Sequence, residues 1–544
     1  MIKTYKIRTV FIFLVFCLLY AIILFNLYLI QVKQSAFFAD LGEKQYNVTV
    51  SRYAARAEIF DRTKKQPLAL NKDCLSAFIL PKQLAEPEKV KTFLRTHFPL
   101  TEKRLRSQKN KNFMFVQRKL SKEQEKVIQK AELKDIKLLK ERGRFYPVAC
   151  AGPVIGTTDI DNKGLFGIEL QCNEQLGGTP AIYSLEQEAR SGHFYFKKEM
   201  HKKGTPGKPI HLTLDSDLQF LVHEELVDTI KRWNAQEGAA IVMNPKTGEI
   251  LAMVSAPTFD PNNFSGTDLE KTKNKTITES YEFGSIAKAF AALAALEEGV
   301  AHIDEQINCG GSKTTYVDGR KVNTLVAHGV LSFSEVVELS NNIGIAIVAK
   351  RLNETLYDHY LRLGFGKKTG ILFPGEQPGF INPPSKWSKQ SIISLSYGYE
   401  MTCTLLQIAQ AFCTIARDGY PIQPKLLLDT KQKIATTPLY KKETMDVIKQ
   451  ILENTTLRGT ARRAGIKGYR VMSKTGTANL LVDGQYSPEK NIYTCAGIVE
   501  KDGYQRVIVA FVKEAQKENA YAATVAAPLF EKVAEKTLIH DKVV

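Results

Sequence analysis

Ser285 and Lys288 stand three residues apart in Ser285-Ile-Ala-Lys288, at the head of an Ala- and Leu-rich run. The helical pattern covers 286–298 and stops at Gly299. Residues i and i+3 share a helix face, so the lysine can reach the serine hydroxyl. Serine is a weak nucleophile until a neighbour takes its proton, and lysine can do so only when uncharged. Its ordinary pKa is about 10.4, so burial and the positive end of the helix dipole must depress it. The spacing alone is not specific: Ser487-Pro-Glu-Lys490 repeats it, and no role is assigned there.

Ser340-Asn341-Asn342 lies between a helix start at Ser332-Phe-Ser-Glu335, which has the form of a capping box, and a second apolar helix, IGIAIVAKRL. A polar turn between two apolar helices can project a hydroxyl and an amide into a cleft. Ser340 could relay a proton to a leaving amine, and Asn342 could hold a substrate amide. The bland alternative is an ordinary inter-helix turn.

Lys474-Thr475-Gly476-Thr477 falls in the strand pattern YRVMSKTGTANL. A glycine on an edge strand lets a ligand backbone lie close as an added strand. Lys474, Thr475 and Thr477 offer a cation and hydroxyls that suit a carboxylate. The backbone N–H groups of Ser285 and Thr477 could form an oxyanion hole. Lys-Thr-Gly recurs at 246–248 and 368–370, in turn-like sequence that reads as structural. The three clusters gain weight together, since helix start, inter-helix turn and strand follow one another in the order Ser285, Ser340, Lys474.

Several elements must position these groups. GAAIVMNPKTGEILAMVSAP reads as two strands joined by a turn, and YTCAGIVE and QRVIVAFVKE flank a hairpin signal at Lys501-Asp502-Gly503. AATVAAPLFEKVAEKTL reads as a closing amphipathic helix. Upstream, EKVKTFLRTHF and SKEQEKVIQKAEL are helix-like, YNVTVSRYAARAEIFDR has strand-like alternation, and FGIEL and HFYFKK are strand candidates. The Gly/Pro cluster GTPGKPI at 204–210 sets a boundary between an N-terminal module, 31–205, and a larger domain, 206–544.

Residues 10–30 are apolar apart from Asn26. At ~1.5 Å per residue they span about 31 Å, a bilayer core. Lys3, Lys6 and Arg8 precede this run, so the tail 1–9 is expected in the cytoplasm and the remainder outside. The run is too long for a cleaved signal peptide and lacks a small-residue cleavage site. Hydrophobic residues are 44% and charged residues 24% of the 544, which excludes a disordered or collagen-like chain. Much of the +18 net charge falls in 81–150. That segment reads as a solvated helical face, with contact to anionic envelope polymers or a partner as the alternative. The eight cysteines include no Cys-x-x-Cys pair and do not cluster with the nine histidines, so neither a zinc site nor a disulfide framework is read here.

With these motifs in place, the chain resembles the class B penicillin-binding proteins, membrane-anchored peptidoglycan D,D-transpeptidases. HLTLDSDLQ (211–219), MNPKTGEILAMVSAPTFDPN (243–262), GILFPGEQPGF (370–380) and YGYEMTCTLLQIAQAF (397–412) resemble family segments of the catalytic domain. RAEIFDRTKKQPLAL (56–70), RFYPVACAGPVIG (144–156) and GLFGIELQCNEQLGG (164–178) do so in the N-terminal module. Ala57 replaces the glycine of the family's Arg-Gly-x-Ile-x-Asp-Arg box, Phe283 replaces the usual proline before Gly-Ser, and a histidine often found at Gly152-Pro153 is missing.

The resemblance implies an α+β fold: a transmembrane helix, an elongated mixed pedestal, and a transpeptidase domain with a central antiparallel sheet between helices. It implies that Ser285 attacks the penultimate D-Ala of a stem peptide with Lys288 as base. Lys474, Thr475 and Thr477 would then hold the terminal carboxylate, with Gly476 and Asn342 as further substrate-binding residues. An amine of a second stem peptide, in one reading diaminopimelate, completes the cross-link. It further implies β-lactams as covalent inhibitors, no metal or organic cofactor, an inner-membrane location with a periplasmic catalytic domain, and a glycosyltransferase and division or elongation proteins as partners, with no nucleic acid. Residues 31–205 are too few for a glycosyltransferase domain, and a β-lactamase would be shorter. A D,D-carboxypeptidase, differing only in the acceptor, and an inactive divisome scaffold are the remaining alternatives. The compact N-terminal module is more like that of the division type.

Overall fold

A computed structural model describes residues 2–52, 54–111, 113–187, 194–264, 266–430 and 435–543. The chain forms two compact units, one of residues 1–56, 74–141 and 177–207, the other of 57–73, 142–176 and 208–544. The last crossing between them falls at 207–208. Two stretches of N-terminal sequence, 57–73 and 142–176, belong to the larger unit.

The smaller unit begins with helix α1 (Ile2–Tyr28), whose side chains from Tyr5 on are exposed along its length and, apart from Lys6, Arg8, Thr9 and Asn26, apolar. It is long and apolar enough to cross a membrane and fits a single-pass anchor. The helical patterns in the basic segment form Pro87–His97 and Lys122–Ala131, the second opened by a Ser121/Gln124 capping box. Both bury their apolar stripe, Val90, Leu94 and Ile128, in a small core with Met114 and Val116. Asn47–Arg52, Ala181–Gln187 and Phe194–Lys202 pair as an antiparallel sheet.

One sequence expectation fails in the larger unit. FGIEL, read as a strand, is the short helix Gly167–Gln171. Gly167 takes φ +63°, which ends extended backbone. The helical turn that follows carries the fully buried Glu169 to Arg144, 2.7 Å away.

The rest of this unit contains α2 (Ser216–Trp233), β1 (Glu237–Met243), β2 (Ile250–Ala256), α3 (Ala287–Glu297), α4 (Phe333–Glu338), α5 (Asn342–Leu352), α6 (Leu405–Ala416), α7 (Lys442–Leu457), β3 (Arg470–Val482), β4 (Gln485–Lys501), β5 (Tyr504–Lys513) and α8 (Ala526–His540). The strands form one antiparallel sheet in the order β2-β1-β5-β4-β3. Asp502 and Gly503 both take positive φ in the β4–β5 turn, as a tight hairpin requires. Alternation along each strand feeds two cores. Ala240, Val242, Ile508 and Ala510 pack with α2 and α8, whereas Ala239, Ile241, Val509 and Phe511 pack with α3, α5, α6 and α7. The sheet is thus buried between helical layers, and β3 is left as its edge beside the start of α3.

Candidate active site

Ser285 occupies the second position of a single 3-10 turn, Gly284–Ile286, that runs straight into α3. Helical bonding leaves no partner for its N–H there. The turn is fastened to β3 by glycines. A Cβ on Gly476 would meet the Phe283 carbonyl oxygen at 2.4 Å, and a Cβ on Gly284, at φ +55°, would meet that of Thr477 at 2.6 Å. A Cβ on Gly398 would lie 2.1 Å from the Gly284 carbonyl oxygen. The space left by the missing side chain of Gly476 is therefore filled by the serine turn itself, not by a ligand backbone. Phe283, at the usual proline position, packs among the rings of Tyr281 and Phe511.

Lys288, the second residue of α3 and one turn after Ser285, is fully buried. Its amine donates to the Ser340 carbonyl at 2.6 Å and to the Ser340 hydroxyl at 3.0 Å. Burial, aided by the Lys474 charge, pushes its pKa well below the ordinary lysine value. A neutral amine has two N–H bonds and one lone pair. Both N–H bonds are taken by Ser340, so the lone pair remains for an incoming proton. Among the described residues the Ser285 hydroxyl makes no hydrogen bond.

Ser340 itself sits at φ +58°, a region a β-carbon disfavours. Its N–H donates to Val337 and that of Asn341 to Val336, closing a Schellman turn at the end of α4 where glycine is the usual residue. The capping box at the other end of α4 is present as read, Ser332 with Glu335. Asn341 is the buried cap of α5, its Oδ1 accepting from Gly344 N–H at 2.9 Å. Asn342 is half-buried and donates through Nδ2 to the Asn323 carbonyl at 2.7 Å. Asn323 ends a small hairpin, Thr314–Val317 with Arg320–Asn323.

Lys474 is also fully buried, and burial lowers its pKa to about 7. Its amine reaches the Ser340 hydroxyl at 3.1 Å and the Thr475 carbonyl at 3.0 Å. Ser340 Oγ therefore accepts from both lysines. With both lone pairs engaged, its own hydrogen is free to be given away.

Lys474 shares a strand face with Met472 and Ala478, which belong to the core containing α3. Thr475 and Thr477 alternate to the opposite face. Thr477 Oγ1 accepts from Ala522 N–H at 3.2 Å, which leaves its hydrogen to donate. Thr475 donates to Thr460 Oγ1 at 3.0 Å. The structure thus joins Lys288, Ser340 and Lys474 by hydrogen bonds, and joins the Ser285 turn to Gly476 and Thr477 by backbone packing. The lysine and the two threonines of one motif stand on different sides of β3.

The edge of β3 supplies one more group. Asn479 N–H donates to Tyr399 Oη at 3.3 Å instead of to β4. Backbone groups alternate along an edge strand, so the Thr477 N–H points the same way, toward the turn that its carbonyl already approaches. Two backbone donors, from Ser285 and Thr477, can then face one oxygen. Three groups around this site escaped the sequence reading. Tyr399 and Thr460 join only through the fold, whereas Glu338, an acid directly after Val336-Val337 and two residues before Ser340, was visible as a buried-charge candidate.

Comparison with known proteins places the chain in a family. Residues 238–535 match the penicillin-binding protein transpeptidase domain, and residues 51–212 match the penicillin-binding protein dimerisation domain. The chain belongs to the penicillin-binding protein transpeptidase family, and the two matches together make it a class B member. It is 29% identical over 542 residues to a probable peptidoglycan D,D-transpeptidase, PenA, of Neisseria meningitidis, covering 97% of this chain and 91% of that one. It is 28% identical over 425 residues to the peptidoglycan D,D-transpeptidase FtsI of Escherichia coli, covering 77% and 71%. Among solved structures, penicillin-binding protein 3 of Mycobacterium tuberculosis, complexed with aztreonam, aligns with TM-score 0.69 and 25% identity over 91% of this chain and 98% of that one.

Proposed function

We propose that this chain is a peptidoglycan D,D-transpeptidase that cross-links stem peptides through an acyl-enzyme on Ser285. The observation that carries the reading is the Ser340 hydroxyl held between two buried, proton-poor amines beside the serine turn. Ser285 Oγ attacks the penultimate D-Ala carbonyl, and its proton passes to the Lys288 lone pair. The oxyanion of the tetrahedral intermediate is met by the N–H groups of Ser285 and Thr477. Ser340 gives its hydrogen to the departing D-Ala amine and is refilled from Lys288, so the proton taken from Ser285 leaves with D-Ala. The amine of a second stem peptide then attacks the ester, and the same relay runs in reverse. Thr477, with a free hydroxyl hydrogen, and Thr475 hold the terminal carboxylate. Lys474 faces the other side of β3 and acts through its hydrogen bond to the Ser340 hydroxyl, and Asn342 Oδ1 accepts from a substrate amide.

The anchor helix carries Lys3, Lys6 and Arg8 at its start. We read the tail as cytoplasmic and the catalytic unit as lying outside the inner membrane. The FtsI and PenA resemblances favour septal use, alongside a glycosyltransferase and other division proteins as partners.

Fluorescent penicillin tests the reading. The purified chain is expected to be labelled, with the adduct mass on the peptide containing Ser285, and Ser285→Ala to be blank. Labelling that survives in Ser285→Ala would overturn it. Product analysis on a D-Ala-D-Ala stem peptide with an amine acceptor should give the cross-linked dimer. Release of D-Ala without dimer would favour the carboxypeptidase alternative.

A further inference from the structure

Glu338 is the last residue of α4 and only 1% exposed. One carboxylate oxygen accepts from Arg458 Nε at 2.8 Å, and the other from Arg458 at 3.1 Å, from Asn454 at 3.0 Å and from the Ser334 hydroxyl. Burial opposes ionisation, but these donors outweigh it and hold the carboxyl below its ordinary pKa. The Glu338 carbonyl accepts from Thr460 N–H at 3.1 Å. A Cβ on Gly459 would lie 2.3 Å from that carbonyl oxygen, so only glycine lets the chain turn so closely here. Thr460 Oγ1 in turn accepts from Thr475. One residue therefore fastens two things together: the turn that presents Ser340, two residues on, and the segment that bonds the first threonine of β3.

We propose that Glu338 and Thr460 are positioning residues, a clamp that fixes the Ser340 hydroxyl and the Thr475 hydroxyl relative to each other across the cleft. A hydroxyl pair can reverse direction. Without a ligand Thr475 donates to Thr460. When a carboxylate arrives, Thr475 turns its hydrogen to the ligand, and Thr460 donates to Thr475 in its place. Thr460 thus keeps Thr475 satisfied in both states. Neither Glu338 nor Thr460 needs to touch the substrate. The inference rests on the transpeptidase reading above.

Thr460→Val keeps the shape and removes the hydroxyl, whereas Thr460→Ser keeps the hydroxyl. The second-order rate of acylation by benzylpenicillin, read by competition with fluorescent penicillin, is expected to fall about tenfold in Thr460→Val. Thr460→Ser should recover to within about twofold of the parent, with all three chains melting at the same temperature. The loss should appear in the concentration dependence, as weaker binding before acylation, and not in the limiting rate. Glu338→Gln is expected to lower the limiting rate as well, because it also releases Ser340. If that buried change fails to fold, the Thr460 pair alone decides. Unchanged acylation in Thr460→Val overturns the clamp, as does an equal loss in Thr460→Val and Thr460→Ser. Failure of the parent chain to label at all would instead strike the transpeptidase reading.

Discussion

The carbonyl oxygen of Phe283 lies 2.4 Å from the point where a β-carbon on Gly476 would stand. The strand and the Ser285 turn are therefore in backbone contact, and that contact sets where Ser285 can be. Neither chain segment can yield cheaply, because Gly284 meets Thr477 in the same way one step along. Gly476→Ala is expected to cost about 1–3 kcal/mol of stability, the usual range for an overpacked site. It should reduce penicillin acylation by at least about 100-fold, since the displaced turn carries Ser285, the nucleophile proposed above. Acylation kinetics and thermal unfolding on the same preparation measure both. Near-parental acylation in a folded Gly476→Ala chain would show that the contact does not position Ser285.

Acylation should rise with pH through neutrality, as Lys474, with its pKa near 7, loses its proton. Stability carries a matching signature. The unfolded lysine titrates near 10.5 and the folded one near 7. Between these values the unfolded chain binds the extra proton, so stability from this group rises with pH, with a slope of up to about 1.4 kcal/mol per unit. Denaturant unfolding from pH 7 to 10 should show this rise, and Lys474→Met should make it shallower, the remainder coming from Lys288. An identical slope in the two chains would mean that Lys474 is not held neutral.

Ser340 occupies left-handed backbone at φ +58°. Glycine adopts that conformation without strain, whereas alanine does not. Ser340→Ala and Ser340→Gly both remove the hydroxyl that bridges the lysines, and both should lose acylation to a similar extent. Calorimetry should find the glycine variant more stable than the alanine variant by about 1 kcal/mol. The reverse order would rule out strain at this turn.

The two asparagines after Ser340 should separate under mutation. Asn341→Ala removes a helix cap and is expected to cost about 1 kcal/mol or more. Asn342→Ala should change the melting temperature much less and instead weaken stem-peptide turnover, read as a raised KM. Equal effects on both readouts would leave Asn342 with no role beyond the turn.

Much of this was legible in the chain itself. Strands such as Glu237–Met243 and Tyr504–Lys513, and the capping box at Ser332, announce themselves through period and local chemistry. FGIEL misled because five residues cannot distinguish a buried helix from a strand. The burial of Glu169 against Arg144, a tertiary demand, decided it. The separation of Lys474 from Thr475 and Thr477 follows from the two-residue period of any strand, yet a ligand-centred view of the motif placed all three on one carboxylate. The bond between Glu338 and Arg458 spans 120 residues, and no local pattern encodes it.

The triple glycine contact around Ser285 also limits how this chain can change. At Gly284, Gly398 and Gly476 even a single methyl group runs into main-chain atoms, so a population exposed to β-lactams finds no small adaptive step at the heart of its target. Reduced drug sensitivity must be assembled from the perimeter, through residues such as Tyr399 and Thr460 that meet β3 by side-chain hydrogen bonds.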